Sequence, residues 1–236
     1  ADFRDWALSE IVVSQAAISP LDTAIAAALK IEDPRSIVTA LGSIALSLVE
    51  SGRLDEALAT AARIPEGAVR ADSYSDIAVA QAHSGDIEAA IETIARIDKP
   101  ESRVPVLTAM AQAELEHGDS TAAYANLDEA VAQARTIRIA KHRNWALAGL
   151  ALAQFEAGDD TGADDTLVLI EDAAGLATAY ANLARVHAKA DEMRHTDVLL
   201  SDAHALIETI GDRADRFQVL SRIAIAEAET GDFESA

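Results

Sequence analysis

The side chains best able to do chemistry in this chain are six histidines and a large excess of carboxylates. His187, Asp191 and His195 recur at a spacing of four, which on one continuous helix would set three metal-binding groups on one face. A turn near Asp191 is expected to break that face, so a metal site is the weaker expectation. Asp159-Asp160-Thr161-Gly162 followed by Asp164-Asp165 has the acid density of a calcium loop. It lacks the one-three-five ligand order and the closing glutamate, and acids at the start of a helix explain it more simply. No Gly-rich phosphate loop, HExxH or Gly-x-Ser-x-Gly occurs, so the common nucleotide and hydrolase classes are without their signatures. With no cysteine, disulfides, thiolate metal sites and thiol catalysis are excluded. No catalytic residue, metal or cofactor is expected, and the chain does not read as an enzyme.

The formal charge of −21 comes from 40 acids against 19 bases, and only Lys30, Lys99, Lys141 and Lys189 are lysines. Such a surface repels phosphate backbones, so nucleic acid is not an expected partner. Solubility accounts for the acidity most simply; recruitment of a basic partner and adaptation to high salt would look the same. No apolar run approaches the length of a membrane span, the longest lying around Ile44–Val49. Ala1 is not an initiator methionine, which fits a cleaved signal peptide or a shortened chain, and leaves a cytoplasmic or a periplasmic or secreted location open.

The elements that must position any site are set by a recurring phrase. Ser51-Gly52-Arg53 with Ala57, Ser84-Gly85-Asp86 with Ala90, His117-Gly118-Asp119 with Ala123, Ala157-Gly158-Asp159 with Ala163 and Thr230-Gly231-Asp232 with Ala236 repeat one pattern. Degenerate copies at Ser19 and Asp191 complete a series at 19, 52, 85, 118, 158, 191 and 231, with steps of 33 or 40 residues. Periods in this range mean stacked supersecondary units. Eleven, eight and seven residues before the glycine stand rows such as Leu41, Ile44, Ala45 and Leu147, Leu150, Ala151, the spacing of one helix face. Apolar residues five, nine and twelve after it, such as Ala57, Ala61 and Ile64, mark a second helix.

Glycine supplies a left-handed cap for the first helix, and the following Asp caps the second. Each repeat is therefore a helical hairpin. Pro34, Pro65 and Pro100 are expected in the links between hairpins, and the 40-residue steps to lengthen the second helix by seven residues, through Leu127 to about Arg138 and Val198 to about Ile210. Half the residues are apolar and only 4% aromatic, so the core is built of Ala, Leu, Ile and Val.

This pattern resembles the tetratricopeptide repeat (TPR) over nearly the whole chain. The usual late aromatic of the first helix is replaced by Gln15, Gln81, Glu114, Gln154 and Glu227. The resemblance implies an all-α, right-handed α-solenoid or superhelix of about seven helix-turn-helix repeats in one domain, 1–236. Their intervals are 3–33, 34–66, 67–99, 100–139, 140–172, 173–212 and an incomplete 213–236. It further implies that first helices line a concave groove with positions thirteen, ten, six and three before the glycine facing inward. The partner-binding candidates are Trp6, Val13, Leu46, Val79, Gln112, Trp145, Leu152, Phe155 and Arg185. Such a groove would hold a peptide, a helix or a protein surface; the competing role for these rows is packing first helices together.

Fifteen residues before the glycine stand Arg4, Arg70, Arg103, Arg143 and Arg216. At hairpin junctions these arginines are expected to bond carbonyls ending the previous helix and to pair with nearby acids; Arg4 with Trp6 and Arg143 with Trp145 are candidate contact sites. The functional expectation is a non-enzymatic interaction scaffold. The alternatives are an enzyme or enzyme-accessory domain with a ligand pocket inside the superhelix, and a self-assembly module. Phe217, Leu220, Ile223 and Ala224 are expected to need cover from a further segment or a second copy.

Overall fold

The computed structural model describes residues 21–190 and 193–230. Arg4, Trp6, Val13, Asp191 and the Gly231-Asp232 phrase lie outside the described residues. Among the described residues there are twelve helices and no strand. They fall in two compact units, 1–113 and 114–236.

The first unit contains α1 (Leu21–Ala28), α2 (Pro34–Glu50), α3 (Leu54–Ala61), α4 (Ala68–His83) and α5 (Ile87–Ile94). It also holds all but the last three residues of α6 (Pro100–Glu116). Here α2 packs on α1, α3 and α4, and α4 packs on α3 and α5. The second unit contains α7 (Ser120–Arg135), α8 (Ala140–Glu156), α9 (Asp160–Val168), α10 (Ala173–Lys189), α11 (Met193–Ile207) and α12 (Arg213–Thr230). In it α8 packs on α7, α9 and α10, while α10 and α11 pack on each other and on α12. No described helix is long and apolar enough to cross a membrane.

Each described glycine of the phrase closes its helix by the same backbone device. Gly52, Gly85, Gly118 and Gly158 have φ between 70° and 82°, a region in which a side chain would be strained. At Gly85, for example, the glycine N–H donates to the Ala82 carbonyl at 2.9 Å and the Asp86 N–H donates to the Gln81 carbonyl at 3.0 Å. This pair of reversed bonds satisfies carbonyls that the helix end would leave open. The next helix then starts on a side-chain cap: Asp86, Asp119 and Asp159 accept from the N–H groups of Ala89, Ala122 and Gly162. Arg53 makes no such cap and instead grips Glu56 through two bonds of 2.7 and 2.6 Å.

The rows on either side of the glycine form the core. Leu41, Ile44 and Ala45 of α2 and Leu147, Leu150 and Ala151 of α8 are at most 1% exposed. From the second helices and the turn that follows α3, Ala57, Ala61 and Ile64 and their equivalents Ala123, Leu127 and Ala130 are buried as well. The small residues ten before the glycine work between first helices: Ser75, Ala148 and Ala181 are buried. At Gly42 an added Cβ would stand 2.7 Å from Val69 Cγ1, so α2 and α4 approach as closely as glycine allows. Two members of the replaced aromatic row, Gln154 and Glu114, make polar contacts inside their hairpins. Gln154 Oε1 accepts from Thr166 Oγ1 at 2.7 Å, and Glu114 Oε2 accepts from Asn126 Nδ2 at 2.7 Å, each pair twelve residues apart.

The 40-residue steps do lengthen second helices. α7 has 16 residues and α11 has 15, against 8 in α3 and α5 and 9 in α9. One expectation needs correcting. Pro34 and Pro100 are not link residues but the first residues of α2 and α6. Proline has no N–H to leave unpaired there, and its φ already suits the helix; Asp33 caps the α2 start through Ser36 N–H at 2.9 Å.

Candidate functional site

Each unit carries a cleft on its first helices, and both clefts are built from the same positions of the repeat. In the first unit a cleft of about 250 Å³ lies between α2 and α4. Thr39 and Asp72, thirteen before their glycines, and Ser43 and Asp76, nine before, line it together with Leu46 and Val69. In the second unit a cleft of about 240 Å³ lies among α8, α10 and α12. Trp145, Thr178 and Gln218 occupy the thirteenth position and Gly149, Asn182 and Arg222 the ninth, with Asp215 and Val219 completing the wall. Positions i and i+4 share one helix face, so each helix offers a pair of side chains to the cleft.

The two clefts differ in charge. Burial, and then the neighbouring charge of Asp72, hold the Asp76 carboxyl above the usual carboxylate range. Asp72 accepts from Ser102 Oγ at 2.8 Å. In the second cleft Asp215 is paired with Lys141. That hydrogen bond, more than any other influence, raises the lysine above its ordinary value. The Lys141 ammonium also stands 4.8 Å from the centre of the Trp145 ring, a cation–π distance. Trp145 remains 38% exposed. Arg222 Nη1 has one long contact, 3.5 Å to Asn182 Oδ1.

The junction arginines have a different role. Arg103, Arg143 and Arg216 each donate to the carbonyl six residues earlier, on Ile97, Ile137 and Ile210, at 2.6 to 3.2 Å. Arg103 adds the Ile94 carbonyl at 3.1 Å and Arg143 adds Glu171 at 2.5 Å. Arg70 pairs with Glu66 at 2.9 Å. Arg103, Arg143 and Arg216 thus close the ends of preceding second helices, where free carbonyls collect, and Arg70 departs from the expected carbonyl bonds by pairing with an acid instead.

Of the other candidates, Leu46 is 45% exposed on the first cleft and Trp145 is on the second. Val79 and Leu152 are half-buried and Gln112 is exposed, outside both clefts. The half-buried Phe155 ring lies 4.6 Å from that of His187, centre to centre. Arg185 is held by Glu229 through two bonds of 3.1 and 3.0 Å. His187 and His195 sit on α10 and α11 with ring centres 5.2 Å apart. Among the described residues no group of three His, Asp or Glu side chains could hold a metal. Sequence reasoning passed over the row nine before the glycine, which contributes Asp76, Asn182 and Arg222. Its signal was present, because that row is one helical turn beyond the thirteenth.

No family model matches the chain, and no curated protein matches it. Among solved structures, BtubC (BKLC) from P. vanneervenii aligns over 97% of this chain and 86% of its own, with 15% identity and a TM-score of 0.41. Ton1535 from Thermococcus onnurineus NA1 aligns over 98% of this chain and 93% of its own, also with 15% identity, and a TM-score of 0.33. At those scores the likeness carries no argument about this chain.

Proposed function

We propose that this chain is a non-enzymatic protein-interaction scaffold of TPR-like hairpins in a right-handed solenoid, holding a protein or peptide segment on the face of its first helices. The observation that carries this is the shared register of the clefts. In both units the same two positions of neighbouring first helices line a cleft, while the rows beside them are used up in the core. The lining positions are exposed on α2, α4, α8 and α12 except for the half-buried Ser43, and buried on α10 as Thr178 and Asn182. A repeat surface presents side chains at a regular pitch, which suits an extended segment or a helix better than a small molecule. The test is capture of partners by the tagged chain from its native source, with identification by mass spectrometry. Trp145→Ala and Leu46→Asp should each lower recovery of a specific partner by about tenfold, the loss expected for an interface anchor. Recovery unchanged in both variants would sink the proposal.

Self-association is a second reading favoured by α12. Leu220 is 41% exposed and Phe217 71%, whereas Leu41, Leu107 and Leu147 at the Leu220 position of other repeats are at most 5% exposed. On this reading a second copy covers these side chains, and Phe217→Asp converts an associating species to a monomer in sedimentation velocity. A parent chain that is already monomeric at all concentrations would rule it out.

A further inference from the structure

We propose that the cleft among α8, α10 and α12 receives an acidic side chain of a partner peptide, with Arg222 as the anion ligand and Trp145 as the platform for an adjoining apolar residue. This deepens the scaffold reading and rests on it.

Size sets the class of occupant. A cleft of about 240 Å³ is smaller than the roughly 300–1,000 Å³ typical of sites for drug-sized ligands and cofactors, but it has room for a side chain. Charge sets its chemistry. Residues 114–236 contain 10 Lys and Arg against 23 Asp and Glu, a formal charge of −13, yet the cleft lining is balanced, with Arg222 as its cation and Asp215 as its anion. Asp215 is paired with Lys141 rather than with Arg222, so the guanidinium in the lining has no carboxylate partner among the described residues. Neighbouring arginines are committed elsewhere: Arg143 to Ile137 and Glu171, Arg185 to Glu229, and Arg216 to Ile210. Arg222 is exposed and, among the described residues, bonded only by the 3.5 Å contact to Asn182. A guanidinium carries five donors in a planar fork that matches a carboxylate. A carboxylate answers this single cation, while a dianionic phosphate would meet the negative field of the whole unit with twice the charge. The exposed amide of Gln218 flanks the site and can both donate to and accept from a peptide main chain.

The experiment is fluorescence polarisation with the full chain and a labelled peptide amide, Gly-Phe-Glu-Phe-Gly. Parallel probes carry Gln, Lys or phosphoserine in place of Glu, and one is a free-acid Gly-Phe-Gln-Phe. Saturable binding of the Glu probe is expected, at least about tenfold tighter than the Gln and Lys probes, as charge-assisted hydrogen bonds require. Arg222→Gln should lose about the same factor, with Arg222→Lys between. Arg213→Gln, outside the cleft, should bind as the parent does, and circular dichroism should show equal helix content in every variant. Equal binding of the Glu and Gln probes, an unaffected Arg222→Gln protein, no saturable binding, or preference for the phosphoserine or free-acid probe would each overturn the assignment. Failure here together with loss of partner capture in Trp145→Ala would leave the scaffold reading standing and remove only the acidic occupant.

Discussion

In the first unit, the positions thirteen and nine before the glycine carry Thr39, Ser43, Asp72 and Asp76; in the second they carry Trp145, Gly149, Thr178, Asn182, Gln218 and Arg222. The register is common and the chemistry is opposite, an acidic slot against an aromatic and guanidinium one. The hairpins tolerate this because the core row keeps its leucines in both units while the cleft rows vary, even where Thr178 and Asn182 of those rows are buried. Leu41 and Leu147, eleven before their glycines, are both fully buried, whatever stands two residues earlier. A repeat can thus keep its stability in one set of positions and vary its recognition in another.

The largest test of that separation is at the shared core position. Leu41→Ala and Leu147→Ala should each cost about 2–5 kcal/mol in denaturant unfolding, because each removes a fully buried side chain and leaves a cavity. A loss below 1 kcal/mol at either would mean that the two hairpins are not equivalent. Next come the glycines of the clefts, which should respond with opposite sign. Gly42→Ala forces a Cβ to within 2.7 Å of Val69 Cγ1 and should destabilise by about 1–3 kcal/mol. Gly149→Ala meets nothing within 4 Å and should stabilise its helix by about 0.5–1 kcal/mol. Matching signs would show that the clefts are shaped alike. The helix caps separate the units again. Asp159→Ala should cost about 1 kcal/mol through loss of the Gly162 bond, and Arg53→Ala, which removes an ion pair and no cap, should cost less.

The smallest effects are electrostatic. Asp76 binds a proton more readily folded than unfolded, so its contribution is complete below its ordinary value of 3.8 and is lost as pH rises through the raised folded value. Asp76→Asn should therefore raise the melting temperature at neutral pH and flatten the profile in that acidic window. Lys141 is also raised, from 10.5, so its stabilisation holds below that value and fades as pH climbs through the higher folded one. Lys141→Gln should flatten only the alkaline limb. Melting curves from acid to alkaline pH check both, and a change in the wrong window would break the assignment.

Much of the fold was legible because glycine and its neighbours act locally. A positive φ at Gly85 and a cap from Asp86 need no distant partner, so the phrase marks a hairpin at each of its described copies. The arginines were legible for the same reason, since Arg103, Arg143 and Arg216 reach carbonyls only six residues away. The clefts were less so. Leu46 and Trp145 were placed by analogy of position, but Asp76 and Arg222 were missed, because a polar residue on a helix looks like any solvated one until a neighbouring helix stands beside it. Arg185 shows the converse: its position matched the candidate row, and Glu229, 44 residues away, occupies it.

The sequence by itself determined the hairpin turns at Gly52, Gly85, Gly118 and Gly158, the short and long second helices and the residues of the core, because spacing along a helix and the conformational demands of glycine and proline are properties of the local chain. Only the tertiary structure decided which exposed rows become clefts and which charges within them stay uncommitted. Lys141 meeting Asp215 across 74 residues, and Arg222 meeting no carboxylate among the described residues, depend on which helices lie side by side. That arrangement is set by the summed burial of many alanines and leucines rather than by any motif a single segment carries.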